Sequence, residues 1–289
     1  MSEELPIVTS LGNAELDRVL VRGRDLNREL LGNVSFTDMV SLLLRGKLPT
    51  PDERRMLDAL LVVLVEHGLV THVVAARFVY HNAPESMQGA VAAALLGAGS
   101  KHLGSSEECA RMLKEAVPPG STSETLDSAV QEIVEKYGAS KRYIPGIGHR
   151  THNQGDPRSE RLFEIARETG MHGTYSDLLQ RISRRAGERR GSTLPVNVTG
   201  AIASIALDMA FRWEMTKAFA LIGRTLGALA HIQEEIENPM VERIKATIAH
   251  NVVYAVPDNY IGESEGAVPD RNKIQRTGGG IGAGDLSQR

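Results

Sequence analysis

The stretch Tyr143-Ile144-Pro145-Gly146-Ile147-Gly148-His149-Arg150, followed by Asp156-Pro157-Arg158, has residue types that could do chemistry. Pro145, Gly146 and Gly148 prescribe a tight, irregular backbone, and glycine lets backbone N–H groups approach a ligand closely. A histidine at the end of such a loop is presented rather than packed away. Asp156-Pro157-Arg158 is a helix-start signal, with proline at the first helical position. A helix N-terminus carries partial positive charge and free N–H groups. A histidine beside an arginine at such a place suits a carboxylate. The same residues also read as a glycine loop capped by Asp156, with Arg158 in solvent. Spacing alone leaves both readings open.

Other chemistries find little support. The chain has nine histidines and one cysteine, and no HExxH or GxSxG motif. His67 and His72 are five apart, the wrong spacing for one helix face. His149 and His152 are three apart, but in a loop of Gly and Pro. One cysteine cannot supply a zinc-finger set, so no metal is expected. Cys109 lies in the amphipathic pattern ECARMLKEAV and reads as a packed core thiol. It has no partner for an internal disulfide, which fits a reducing compartment. The net charge of −3 gives no basic excess of the kind nucleic-acid surfaces show. It does not exclude an anionic ligand, because a few arginines in a cleft dominate locally.

These residues need elements to position them, and the elements read as helices. Thr50-Pro51-Asp52-Glu53 is a capping box with proline at N1. Met56, Leu57, Leu60, Leu61 and Leu64 follow at helical spacing, with Gly68 as the expected stop. Ser105-Ser106-Glu107-Glu108 is a second capping box, and its helix should end before Pro118. A third helix starts at Asp156-Pro157 and should stop at Gly170. A further one is expected from Glu214 to about Glu237. PPGSTSET at 118–125 reads as an exposed loop, and the glycine-rich RTGGGIGAGDLSQR as a flexible tail. The apolar content of 42% can fill a substantial core. The N-terminus lacks the pattern of a signal peptide. The longest apolar runs, such as LDALLVVLV at 57–65, are too short to span a bilayer. A cytoplasmic protein is expected.

PGIGHR followed by DPR resembles the signature of the citrate synthase superfamily. Other segments fall in that family's order. SFTDMVSLLLRGKLPTPDE at 35–53 is similar to its early helix pair, and Glu66-His67-Gly68 to its first site histidine. Ser100-Lys101-His102-Leu103-Gly104 resembles the segment with the proton-donating histidine. Pro195-Val196-Asn197-Val198-Thr199-Gly200 resembles its NVDG motif, and Gly223-Arg224-Thr225-Leu226-Gly227 its later arginine helix. The short chain, beginning almost at RGRDL, is closest in form to the citryl-CoA lyases and to the homologous C-terminal module of ATP-citrate lyase.

The resemblance implies an all-α fold of two lobes with a cleft between them. Residues 1–103 and 200–289 would form the large lobe and 104–199 the small one. It implies a carbon–carbon lyase, cleaving a citryl-type CoA thioester to acetyl-CoA and an oxo acid such as oxaloacetate. CoA would enter as substrate, with no permanent cofactor and no metal. His102 would stabilise the enolate, and His149 would bind the carbonyl or tertiary hydroxyl. His67, Arg158 and Arg224 would hold substrate carboxylates, and Arg243 would reach the site of a partner subunit in a homodimer or higher oligomer. Ile144, Pro145, Gly146, Ile147 and Gly148 would wrap CoA, with Arg150 near a phosphate. His72, His81, His172, His231 and His250 are assigned no role beyond packing or surface. One position departs from the family: Thr199 stands where it has aspartate. A neutral hydroxyl cannot serve as the base for the acetyl methyl proton, but a threonine there could cap the next helix. The departure admits citrate or 2-methylcitrate synthase activity, a lyase for another hydroxyacyl-CoA, or a CoA-thioester binder without catalysis. It favours the last two over a synthase.

Overall fold

The structure is a computed structural model and describes residues 7–99, 105–117, 121–140, 142–149, 152 and 154–252. His102, Arg150 and the glycine-rich tail lie outside the described residues.

The chain opens with a small antiparallel sheet of β1 (Gly12–Ala14), β2 (Val19–Val21) and β3 (Arg24–Asp25), in which Leu20 lies opposite both Asn13 and Asp25. The sequence reading did not anticipate it, because runs of two or three residues are too short to show a period of two. Arg22 pins the sheet to the body by donating from Nη2 to Leu43 O at 2.8 Å. Asp25 then caps a single helical turn, Leu26–Leu30.

The longer elements described after that are helices. α1 (Phe36–Arg45) and α2 (Pro51–Val62) each begin with a capping box, at Ser35/Asp38 and at Thr50/Glu53. α2 stops six residues before Gly68, and residues 63–68 turn beneath a later helix. α3 (Thr71–Asn82) and α4 (Met87–Gly97) form a hairpin whose alanines pack with Ala228 and Ile232 of α10 (Thr216–Glu237). α5 (Ser105–Ala116) already includes Ser105, so its expected cap lies one residue too late. α6 (Ser123–Ala139) starts inside the expected loop, because Thr122 and Thr125 form a capping box. α7 (Pro157–Glu168), capped by Asp156, and α8 (Thr174–Arg190) follow. α9 (Val198–Asp208) is buried at every position from Val198 to Leu207. A helix apolar on all sides needs neighbours on all sides, and this one is the axis of the core. At its far end Asp208 accepts the N–H groups of Gly173, Tyr175 and Ser176, so its carboxylate caps α8. α11 (Val241–Asn251) closes the described fold. No helix among the described residues is long and apolar enough to cross a membrane.

Glu53 shows how these ends are locked. It accepts from Arg45 Nη2 at 2.5 Å and from the Thr50 N–H at 2.9 Å. Burial raises its pKa, but the Arg45 and Thr50 hydrogen bonds outweigh that and lower it from 4.5 to about 2. Breaking one side of a buried pair typically costs about 3 kcal/mol, and Glu53→Gln should cost about that much in urea unfolding at pH 7. A depressed folded pKa stabilises fully above 4.5, and that stabilisation is lost as pH falls through about 2. The gap between wild type and variant should therefore shrink as unfolding is repeated at lower pH.

Candidate active site

The loop Tyr143–His149 is seated on the start of α9. Gly148 N–H donates to Pro195 O at 2.7 Å, Asn197 N–H donates to Gly146 O at 3.0 Å, and Ile147 bridges Val196. Gly146 has φ +82°, and a Cβ there would sit 2.6 Å from Cys109 Sγ and 2.9 Å from Gly200 Cα. No other residue fits that position. Cys109 is fully buried beneath it, and burial pushes its thiol pKa up, as expected of a core thiol.

Two side chains fasten loop to helix. Asn197 is the N-cap of α9: its Oδ1 accepts the Gly200 N–H at 3.0 Å, and its Nδ2 donates to Gly148 O at 2.9 Å. Thr199 is therefore not the cap. It lies inside the helix, and its hydroxyl donates to Asn197 Oδ1 at 2.7 Å. The carboxamide of Asn197 takes the capping place because it satisfies the free N–H and the loop carbonyl together. Asp156 is the second fastener. Its buried carboxylate accepts from Arg158 N–H, Nε and Nη2 and from the Val198 N–H, at 2.9–3.1 Å. Burial raises its pKa, but those donors outweigh it and hold the carboxyl below the usual range. The carboxylate thus has its partners already and fixes the direction of Arg158.

His149 stands at the loop's end. Its Nδ1 accepts the His152 N–H at 3.0 Å, and the two rings lie 4.7 Å apart. A neutral ring that accepts at Nδ1 carries its proton on Nε2. Nε2 is 3.4 Å from Arg158 Nη2. Neither group can accept from the other in that form, and an oxygen between them would receive both protons. Burial holds His149 below its ordinary pKa, helped by the charges of His152 and Arg158 and opposed by Asp156. His67 is also lowered, by burial first and then by Arg158 and Arg224. Both rings are therefore neutral near pH 7, able to give or take a proton.

Arg224, on α10, is the most informative group. It is 5% exposed, and its Nε and Nη1 have no hydrogen-bond partner. Burial lowers its pKa and Arg158 adds to this, with Glu66 opposing. It remains a cation, since arginine cannot be deprotonated in proteins. A buried guanidinium with unmet donors is costly unless an anion completes it.

His67, His149, Arg158 and Arg224 thus form one cluster, beside the loop whose Gly146 and Gly148 are hydrogen-bonded to the segment leading into α9. Ile144 and Pro145 lie in the same loop, and Ile147 is buried. Arg243 does not join them. It is exposed on α11, beyond the end of α10, whose 13 residues from Arg224 to Glu237 span about 20 Å. Sequence reasoning missed Asn197, Glu66 and His152 as partners. The cap preference for asparagine was a usable signal for Asn197. Among the described residues no group of His, Cys, Asp and Glu is arranged to hold a metal ion.

Known proteins share this arrangement of elements. The structure of citryl-CoA lyase from Hydrogenobacter thermophilus superposes with a TM-score of 0.79 and 34% identity, covering 89% of this chain and 97% of that one. ATP citrate lyase from Methanothrix soehngenii, in complex with citrate and coenzyme A, gives a TM-score of 0.67 over 95% of this chain and 44% of that one. At 19% identity, that likeness is one of fold. Citrate synthase 2 of Bacillus subtilis (strain 168) is 27% identical over 207 residues, covering 70% of this chain and 53% of its own length. The chain spans about half the length of the curated relatives it matches. The family described as "Citrate synthase, C-terminal domain" matches residues 34–245. The chain belongs to the citrate synthase family.

Proposed function

We propose that this protein cleaves a citryl-type CoA thioester by a retro-aldol reaction, giving acetyl-CoA and an oxo acid such as oxaloacetate. The observation that carries the reading is the buried Arg224 guanidinium with unmet donors beside His67, Arg158 and His149. Such a cluster suits a ligand with more than one carboxylate and a central hydroxyl or carbonyl oxygen. The lyase direction is favoured over synthesis by the correspondence with nearly the whole length of the citryl-CoA lyase structure.

In cleavage the bond between the tertiary carbon and the thioester α-carbon breaks. The hydroxyl O–H electrons form the new carbonyl, and the proton passes to His149 Nε2 once the ring carries its own proton on Nδ1 and gives up its contact with the His152 N–H. The bond electrons become the acetyl-CoA enolate, with His102 at the thioester oxygen, and the enolate carbon takes a proton from solvent. Arg158 and Arg224 hold the departing oxo acid. The loop Ile144–Gly148, with Arg150, lies against CoA. Residues 1–103 with 200–289 form one lobe and 104–199 the other, closing over the enolate to exclude water. Arg243, on α11 beyond the far end of α10, reaches a neighbour's site in a homodimer. Thr199 specifically favours a second reading, a lyase for another hydroxyacyl-CoA, because it changes the group facing the acyl carbon.

Purified protein with (3S)-citryl-CoA and excess EDTA should release oxaloacetate and acetyl-CoA in equal amounts. Acetyl-CoA with oxaloacetate should give no free citrate. No turnover of citryl-CoA while another hydroxyacyl-CoA is cleaved would move the assignment to the second reading. Turnover that needs a divalent cation would overturn the metal-free site.

A further inference from the structure

The segment that carries His67 has an anchor of its own on α10. Gly223, Arg224, Gly227 and His231 are all buried and share one face of that helix. A Cβ at Gly223 would stand 2.8 Å from Leu61 O, and one at Gly227 would run into Val65 O. The α10 backbone therefore lies directly on residues 61–65. One turn beyond Gly227, the ring of His231 is 8% exposed, and its Nε2 lies 3.0 Å from Glu66 Oε2.

The Glu66 carboxylate is a junction. Besides His231 it accepts the Gly68 N–H, and the His67 N–H also bonds to it. Three donors on one carboxylate close a turn with His67 at its middle. Glu66 is 50% exposed at its side chain, so its ion pair with His231 contributes little stability by itself. Its effect is geometric. His231 in turn faces Glu234 at 3.8 Å, and Glu234 pairs with Arg77 at 2.6 Å. Arg77 is 2% exposed and also holds the buried Glu235 at 2.7 Å. Arg77, on α3, is thus tied to the last turns of α10, while Nδ1 of His231 has no hydrogen-bond partner.

We propose that His231 is a positioning residue: acting through Glu66, it holds His67 in the cluster where substrate carboxylate binds. This rests on the reading of the site given above. Without the ring, Glu66 is free to turn to solvent, and the 66–68 turn loses its bridge. A misplacement of about 1 Å is enough to cost up to 10²-fold where geometry decides.

The test compares His231→Ala with His231→Gln, whose amide N–H can stand in for Nε2–H. The first readout needs no ligand: the titration midpoint of the His67 ring by NMR, assigned with His67→Gln. In wild type this midpoint lies below 6.5, under burial, Arg158 and Arg224, with His152 adding and Glu66 opposing. In His231→Ala it should rise towards 6.5, and in His231→Gln it should stay near wild type. The second readout is calorimetry. Citrate affinity should fall about tenfold or more in His231→Ala and by less than about threefold in His231→Gln, with CoA affinity unchanged in both. A folded His231→Ala protein with wild-type His67 midpoint and citrate affinity would overturn the proposal. So would a glutamine variant as impaired as the alanine one, which would make His231 a packing residue. If His231→Ala does not fold, Glu66→Ala, at the half-exposed end of the pair, must show the same loss of citrate affinity with CoA affinity unchanged; a wild-type citrate affinity there would overturn the proposal. If wild type binds no citrate, the reading of the site fails, and the His67 midpoint alone still decides the role of His231.

Discussion

Arg224→Met should lower kcat/KM for citryl-CoA cleavage about 10³-fold and at the same time make the protein more stable. The loss follows from the position of the guanidinium. Truncating one partner of a buried charge pair costs about 2–5 kcal/mol, and about 1.4 kcal/mol is tenfold in rate. The gain has the same origin. In the unliganded protein Nε and Nη1 are buried without partners, and replacing an uncompensated buried charge with an apolar side chain of similar length is often stabilising by about 1 kcal/mol or more. CoA affinity should stay within about twofold, since in the proposed reading Arg224 holds a substrate carboxylate and the loop binds CoA. Steady-state kinetics and urea midpoints on one preparation read both signs. Arg224→Lys should recover only part of the activity, because an ammonium lacks the planar fork. A methionine variant that cleaves like wild type would remove Arg224 from the site. One that loses both activity and stability would make Arg224 a structural residue.

Thr199→Asp should raise exchange of acetyl-CoA methyl protons with solvent deuterium about 10²- to 10⁴-fold, the usual contribution of a positioned general base. The side chain lies in the first turn of α9, where a carboxylate is welcome at the helix N-terminus. Its neighbour is the obstacle. The Thr199 hydroxyl donates to Asn197 Oδ1 at 2.7 Å, and a carboxylate cannot donate. Asn197 cannot simply flip, because Oδ1 also accepts from Gly200 and Nδ2 donates to Gly148 O. The new carboxylate must therefore turn away from Asn197, and the expected gain requires that it turn towards the cluster. Exchange is followed by mass spectrometry of acetyl-CoA in deuterated buffer. If the native substrate carries another acyl group, the same substitution should instead weaken its binding or turnover. A variant unchanged in exchange and in thioester binding would reduce Thr199 to a hydrogen-bonding partner of the Asn197 cap.

Much of this site is visible in local sequence because its parts are local motifs. A proline–glycine loop, an Asp-Pro-Arg helix start and an arginine in a glycine-containing helix each carry a short-range signature. The roles of Asn197 and Thr199 were harder to separate. Both are good caps, two residues apart, and which one takes the Gly200 N–H depends on where the loop carbonyl of Gly148 arrives. The end of α2 was misplaced for a similar reason. Gly68 is a legitimate stop, but the close seating of α10 on Leu61 and Val65 accompanies an earlier break.

Helix content, most helix starts, the burial of Cys109 and the family itself follow from composition, periodicity and motif order along the chain. Those signals span a few residues or a few turns, the range over which backbone hydrogen bonding and side-chain periodicity act. The Val198 N–H that completes Asp156, the unmet guanidinium of Arg224 and the grip of His231 on Glu66 do not follow from it. Each joins residues 42 to 165 positions apart or depends on what a distant helix fails to supply. No local pattern encodes which of several arginines will be buried without a partner, or which of nine histidines will meet a carboxylate. That is settled when α9 and α10 pack, because only then do desolvation and approach distance assign each charge its neighbours.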